Sequence, residues 1–72
     1  MLELLVQMRL AAGLRQQDLA SRLGVPQSFV SKYETGERRL DLIELRTICR
    51  ALDSSMLDFI QSLENRLNET RS

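Results

Sequence analysis

Apolar residues recur along this chain at helical spacing, in five runs separated by glycine, proline or side chains that cap helices. Leu2, Leu5, Val6, Met8, Leu10 and Ala12 predict a helix over residues 2–12 with a wide apolar face, stopped by Gly13. A short second helix is predicted over 16–23 and closed by Gly24. A third follows over 27–34, with Pro26 at its entry, where a missing N–H costs nothing, and Gly36 at its end. Residues 35–40, TGERRL, form a loop with two adjacent arginines. Asp41 followed by Glu44 is a capping-box-like start for a helix over 41–51, along which Leu42, Leu45, Ile48, Cys49 and Leu52 keep a 3.6-residue period. Ser55 followed by Asp58 caps a fifth helix that runs to about Leu67, with Met56, Phe59, Ile60, Leu63 and Leu67 along one stripe. The polar tail over 68–72, NETRS, is expected to fray. No strand-like alternation, repeat or low-complexity run breaks this order. The expected fold class is all-α, with residues 1–72 forming one domain of five helices.

The densest signal lies in residues 16–36, QQDLASRLGVPQSFVSKYETG. Two helices this short are unstable alone and gain stability only by crossing closely over a shared core. Ala20 supplies the small residue at the crossing, Gly24 tolerates φ > 0 in the turn, and branched Val30 locks the second helix down. Leu19, Leu23, Val25 and Tyr33 complete the apolar positions. The spacing of Ala20, Gly24 and Val30 matches the helix-turn-helix pattern. Gln27, Ser28, Ser31 and Lys32 remain outward-facing on the second helix. They are short or amide-bearing groups, or cations, of the kind that read base edges in a major groove.

Composition narrows the chemistry. At 72 residues the core is small, so tight helix packing or a partner subunit is expected. One cysteine and no histidine exclude an intrachain disulfide and a Cys/His zinc site. Cys49 reads first as a small buried hydrophobe, with a redox or metal role as the lesser alternative. There is no Gly-rich phosphate loop and no nucleophile with a base beside it, so no enzyme, cofactor, metal or small-molecule ligand is expected. The opening MLELLVQMRL is interrupted by Glu3, lacks the basic lead-in of a signal peptide and is too short to span a membrane. The expectation is a cytoplasmic chain. Net charge is zero, unusual for a small nucleic-acid binder. The charge is unevenly spread, however. Residues 9–39 hold six basic and three acidic residues (+3), residues 40–72 hold four and six (−2), and Glu3 completes the zero. That asymmetry permits a nucleic-acid face and a separate face for something else.

The stretch GLRQQDLASRLGVPQSFVSKYETGERR resembles the Cro/repressor-like helix-turn-helix family, often called the Xre family, and the likeness extends over roughly residues 2–58. The resemblance implies a compact five-helix, lambda-repressor-like DNA-binding domain with its helix-turn-helix at helices 2 and 3. It implies a prokaryotic or phage source and operator binding as a homodimer. It places Gln16 where a side chain and a helix N-terminus hold a phosphate. Gln27 and Ser28 fall at the first recognition positions, Lys32 one turn later, and Ser31 between them. Thr35 and Arg38 fall in the loop that meets backbone or flanking bases, and Arg9 and Glu34 match an internal ion pair between helices 1 and 3. The chain departs from the family pattern at Asp53, where glycine is common, and at Leu40, where proline is common. Asp53 can take the left-handed conformation at some cost. Phe29 is bulkier than the usual occupant, and contact with a thymine methyl and shielding of the core both stand as readings.

Gln27 is the sharpest candidate, since a glutamine pairs bidentately with adenine through N6 and N7. Its bland alternative is a solvated residue at a helix start. Ser28 and Lys32 divide between base and phosphate. Arg38 and Arg39 read as phosphate contacts rather than an ordinary solvated loop, whereas Arg15 and Arg22 divide evenly between phosphate contact and a solvated surface. The stripe of Phe59, Ile60, Leu63 and Leu67 is longer than a four-helix core is expected to cover, and reads as a dimer interface. The expected function is a sequence-specific, double-stranded DNA-binding transcriptional regulator associated with the nucleoid, a repressor acting as a homodimer on an inverted repeat. A phage or plasmid repressor, an autoregulating antitoxin and a restriction–modification controller all fit that format. A protein-binding adaptor or antitoxin-type partner on the same fold is the second reading, and zero net charge is its main support.

Overall fold

Ala20, Gly24 and Val30 set the centre of the molecule. The computed structural model describes residues 2–71, with the side chains of residues 2–69. Five helices follow in order: α1 Leu2–Ala11, α2 Gln16–Leu23, α3 Gln27–Thr35, α4 Leu42–Ala51 and α5 Met56–Arg71. Gly24 ends α2 in the left-handed conformation (φ 72°), and its turn carries the chain into α3 behind Pro26. Ala20 is 3% exposed and Val30 fully buried, so α2 and α3 meet over a small residue and a branched one. α1 packs on α3, and α4 lies across α2 and receives α5. Leu5, Leu19, Tyr33, Ile48, Cys49 and Phe59 are essentially fully buried and form one contiguous core with Leu4, Leu45 and Leu52.

Local chemistry explains the ends of the helices. Asp41 caps α4 by accepting the Glu44 N–H at 2.7 Å, and the Glu44 carboxylate accepts the Asp41 N–H at 3.1 Å. Ser55 Oγ accepts the Asp58 N–H at 3.1 Å at the start of α5. Asp53 adopts φ 58° between α4 and α5, the left-handed position where glycine is common in the resembled family. The region expected to fray continues as helix to Arg71, and Ser72 lies outside the described residues.

Three stretches pack differently from the periodic reading. On α1, Leu10 is 61% exposed and Ala12 lies exposed past the helix end, whereas Leu4, Leu5 and Arg9 face inward. The helix is apolar nearly all round, so its pattern does not choose a face, and the buried row includes a charge that only its partner explains. On α4, Leu42 is 70% exposed in the first helical position, and the buried row begins at Leu45. On α5, Phe59 is 1% exposed and belongs to the core, not to a surface open to a partner. One residue on, a rotation of about 100° carries Ile60 to the flank of the helix, where it is 46% exposed. Leu67 is 49% exposed on the same flank and Leu63 is half-buried.

Candidate nucleic-acid interface

The exposed side of α3 and the two loop ends beside it gather the candidate residues. Gln27, Ser28 and Lys32 are exposed on α3, and Ser31 is half-buried between them. Pro26 fixes the entry to α3 and Gly36 closes it at φ 85°, so the helix presents one short, well-bounded face.

Beneath that face lies a chain of polar contacts anchored in the core. Arg9 forks onto Glu34, with Nε donating to Oε2 at 2.8 Å and Nη2 to Oε1 at 3.1 Å. Its remaining Nη1 donates to the Leu14 carbonyl at 2.8 Å. Both side chains are nearly buried, 9% and 6% exposed, so the pair ties α1, the α1–α2 turn and α3 together in a poorly solvated place. Glu34 holds the Arg9 guanidinium still more firmly in its charged form. Gln16, the first residue of α2, donates from Nε2 to Glu34 Oε1 at 2.9 Å and accepts from Gln27 Nε2 at 3.4 Å. Gln16 is thus placed between a buried carboxylate and an exposed amide.

The cations are positioned unequally. Lys32 and Arg39 are exposed, with no side-chain partner among the described residues. The Arg38 guanidinium lies 4.6 Å from the centre of the Phe29 ring and donates to Glu44. Its backbone N–H donates to the Lys32 carbonyl at 3.1 Å, folding the loop back onto α3. The Asp41 N–H first, and then the Arg38 guanidinium, hold the Glu44 carboxyl below the usual carboxylate range. Phe29 is half-buried and packs edge-on against Tyr33, with ring centres 5.9 Å apart. It therefore shields the core on one side and supports an arginine on the other. Arg15 is exposed and chelated by Asp18, whose carboxylate accepts from the Arg15 side chain at 3.1 Å and from its N–H at 2.9 Å. That arginine side chain, and then its N–H, lower the Asp18 pKa. Thr35 is exposed, and its hydroxyl donates to the Lys32 carbonyl at 3.2 Å. Arg22 lies apart, donating to the Ala51 carbonyl at 2.8 Å and standing 3.5 Å from Asp53.

Sequence reasoning missed the link from Glu34 to Gln16 and the carboxylates of Asp18 and Glu44 on the arginines. A signal for the first was present: Gln16 and Gln27 each open a helix of one helix-turn-helix, and that motif brings the two starts together. Asp18 and Glu44 occupy the third helical positions of α2 and α4, where an acid satisfies backbone N–H groups, and this masks their second partner.

A crossing of two short helices over Ala20, with a third-helix face backed by paired glutamines, defines a helix-turn-helix domain. The helix-turn-helix family matches the chain over residues 5–59. Among solved structures, an XRE-family like protein from Pseudomonas syringae pv. tomato str. DC3000 is 49% identical, with a TM-score of 0.84 over 90% of this chain and 79% of that one. No curated protein matches. The chain belongs to the XRE family of helix-turn-helix proteins, a class of DNA-binding transcription regulators. Among the described residues no helix is long and apolar enough to cross a membrane.

Proposed function

We propose that the chain is a sequence-specific repressor that binds an inverted-repeat operator in double-stranded DNA as a homodimer. The observation that carries this reading is the position of Gln27, exposed at the start of α3 with its amide held by Gln16. In it α3 enters the major groove, where Gln27, Ser28, Ser31 and Lys32 meet base edges. Gln16, Arg15, Thr35, Arg38 and Arg39 meet the backbone on either side. Arg39 is open to a phosphate as it stands, whereas Arg15 and Arg38 must exchange a carboxylate for one. The flank of α5 formed by Ile60, Leu63 and Leu67 is the surface that pairs two copies. Half-sites then lie about 10 base pairs apart, or a multiple of that.

Selection of bound sites from a random DNA pool tests the reading directly. The expected outcome is an inverted repeat on which Gln27→Ala costs about 1–3 kcal/mol and relaxes preference at one base pair in each half. Equal weakening on every sequence assigns Gln27 to the backbone. Recovery of no sequence at all overturns the operator-binding reading and leaves the protein-binding one.

A further inference from the structure

The contacts running inward from Gln27 have a direction as well as a length. Glu34, paired bidentately with Arg9, is ionised, and its oxygens only accept. The Gln16 atom 2.9 Å from Glu34 Oε1 must therefore be the amide nitrogen, which turns the Gln16 oxygen outward. An outward oxygen requires a donor, so the Gln27 atom facing it must also be a nitrogen. One N–H of Gln27 is thereby committed to Gln16. Its second N–H and its Oε1 remain for a base, in a fixed left-to-right order.

We propose that Glu34 is a specificity-positioning residue: acting through Gln16, it fixes which end of the Gln27 amide is the acceptor and so selects adenine over guanine. This rests on the reading that Gln27 meets a base edge. Adenine offers N7 to accept and N6–H to donate, which complements one N–H beside one oxygen. Guanine offers two acceptors, N7 and O6, and sets O6 against the Gln27 oxygen. An amide free to turn over meets guanine with its NH2 group instead and discriminates poorly. The buried position of Glu34 matters here, because a carboxylate only 6% exposed and gripped by an arginine does not swing away to release Gln16.

Glu34→Gln removes the constraint. Glu34 Oε1 accepts from both Arg9 Nη2 and Gln16 Nε2, and an amide in its place presents either an oxygen or an NH2 group there. Gln16 is then no longer held to one orientation, and the Gln27 amide loses its fixed order at the base. Gln16→Met removes the connection while leaving Arg9 and Glu34 paired. The experiment measures affinities of the full chain for the selected operator and for single-base variants of it. The Gln27→Ala chain serves as reference and urea unfolding as a check on folding.

The selected base opposite Gln27 should be adenine, preferred over guanine by about 5- to 100-fold. Glu34→Gln and Gln16→Met should each lower that ratio about fivefold or more at this one position, and neither should change it in the Gln27→Ala background. Uniform weakening on all sites with the ratio intact would make Glu34 a residue of the fold alone and overturn the proposal. So would a selected guanine at the position. Should Glu34→Gln fail to fold, Arg9→Met combined with Glu34→Met removes the carboxylate without leaving a buried charge, and an adenine-to-guanine ratio unchanged in that double variant overturns the proposal. If Gln27→Ala leaves every base preference unchanged, the base-reading role of Gln27 has failed first, an outcome separable from failure of the relay.

Discussion

Arg9 and Glu34 illustrate what one buried charge demands of a domain this small. A chain of this length has about 4–10 kcal/mol of stability in all. Removing one member of a nearly buried pair leaves the other uncompensated, at about 3–5 kcal/mol. Arg9→Met is therefore expected to lower the urea midpoint sharply, while Arg9→Met combined with Glu34→Met, which removes both charges, costs much less. A double-mutant cycle measures the difference as coupling, and zero coupling would contradict the 2.8 Å contact. Tyr33 presents the opposite case. Its ring is fully buried, but its hydroxyl is buried with no hydrogen-bond partner among the described residues, and burial pushes its pKa above the ordinary tyrosine value. A desolvated, unsatisfied hydroxyl costs about 1–3 kcal/mol. Tyr33→Phe is expected to raise the thermal midpoint and keep the edge-on contact with Phe29, and a lowered midpoint would show that the hydroxyl is satisfied in solution.

At the scale of elements, the loop between α3 and α4 is held at three points: the Arg38 N–H on Lys32, its guanidinium over Phe29, and the same guanidinium on Glu44. Glu44 thus serves two masters, the start of α4 and the arginine of the loop. Glu44→Gln keeps the hydrogen bonds of the cap but removes the negative charge. Binding to any duplex is then expected to tighten and the slope of log affinity against log salt to steepen by up to about one. An unchanged slope would place Arg38 outside the contact. The folded state holds the Glu44 carboxyl below its ordinary pKa, so the stability it adds is present above the usual carboxylate range and is lost as pH falls through the lowered value. The five helices and their capping chemistry were legible because Gly13, Gly24 and Gly36 each mark a left-handed residue and because Asp41 and Ser55 begin helices. Which face of α1 turns inward was not, since Leu2, Val6 and Leu10 are as apolar as Leu4 and Leu5 and the inward row passes through an arginine. In the candidate site, the identities of Gln16 and Gln27 were readable from their places in the motif. Their connection through Glu34 required distances across three helices.

The whole molecule is longer than it is wide, 39 × 24 × 22 Å, and α5 is its longest helix. Arg66 on α5 donates to Gln7 on α1 at 2.7 Å, so the first and last helices are joined well beyond the core residue Phe59. On the flank beside that contact stand the half-exposed side chains of Ile60 and Leu67. If two copies pair there, Ile60→Asp or Leu67→Asp leaves the fold intact, because neither side chain belongs to the buried core. Sedimentation is expected to show a dimer for the unaltered chain and a monomer for either variant, with helix content preserved and tight operator binding lost. An unaltered chain that sediments as a monomer at tens of micromolar, alone and on its operator, would remove α5 as the pairing surface.

If Arg15, Arg38 and Gln27 meet DNA as proposed, the carboxylates resting on the two arginines have a consequence among the competing DNA of a chromosome. A random stretch of duplex must displace Asp18 and Glu44 before it gains those two cations, and it has no base pattern with which to repay Gln27. Every chromosome presents about a million to a billion such competing stretches. A regulator that adheres weakly to all of them is not soaked up by them, so most of its copies stay free to find the one address that matters. Under the proposed repressor role, a gene guarded this way would need only a small standing stock of its guard, and a modest fall in that stock would be enough to release it.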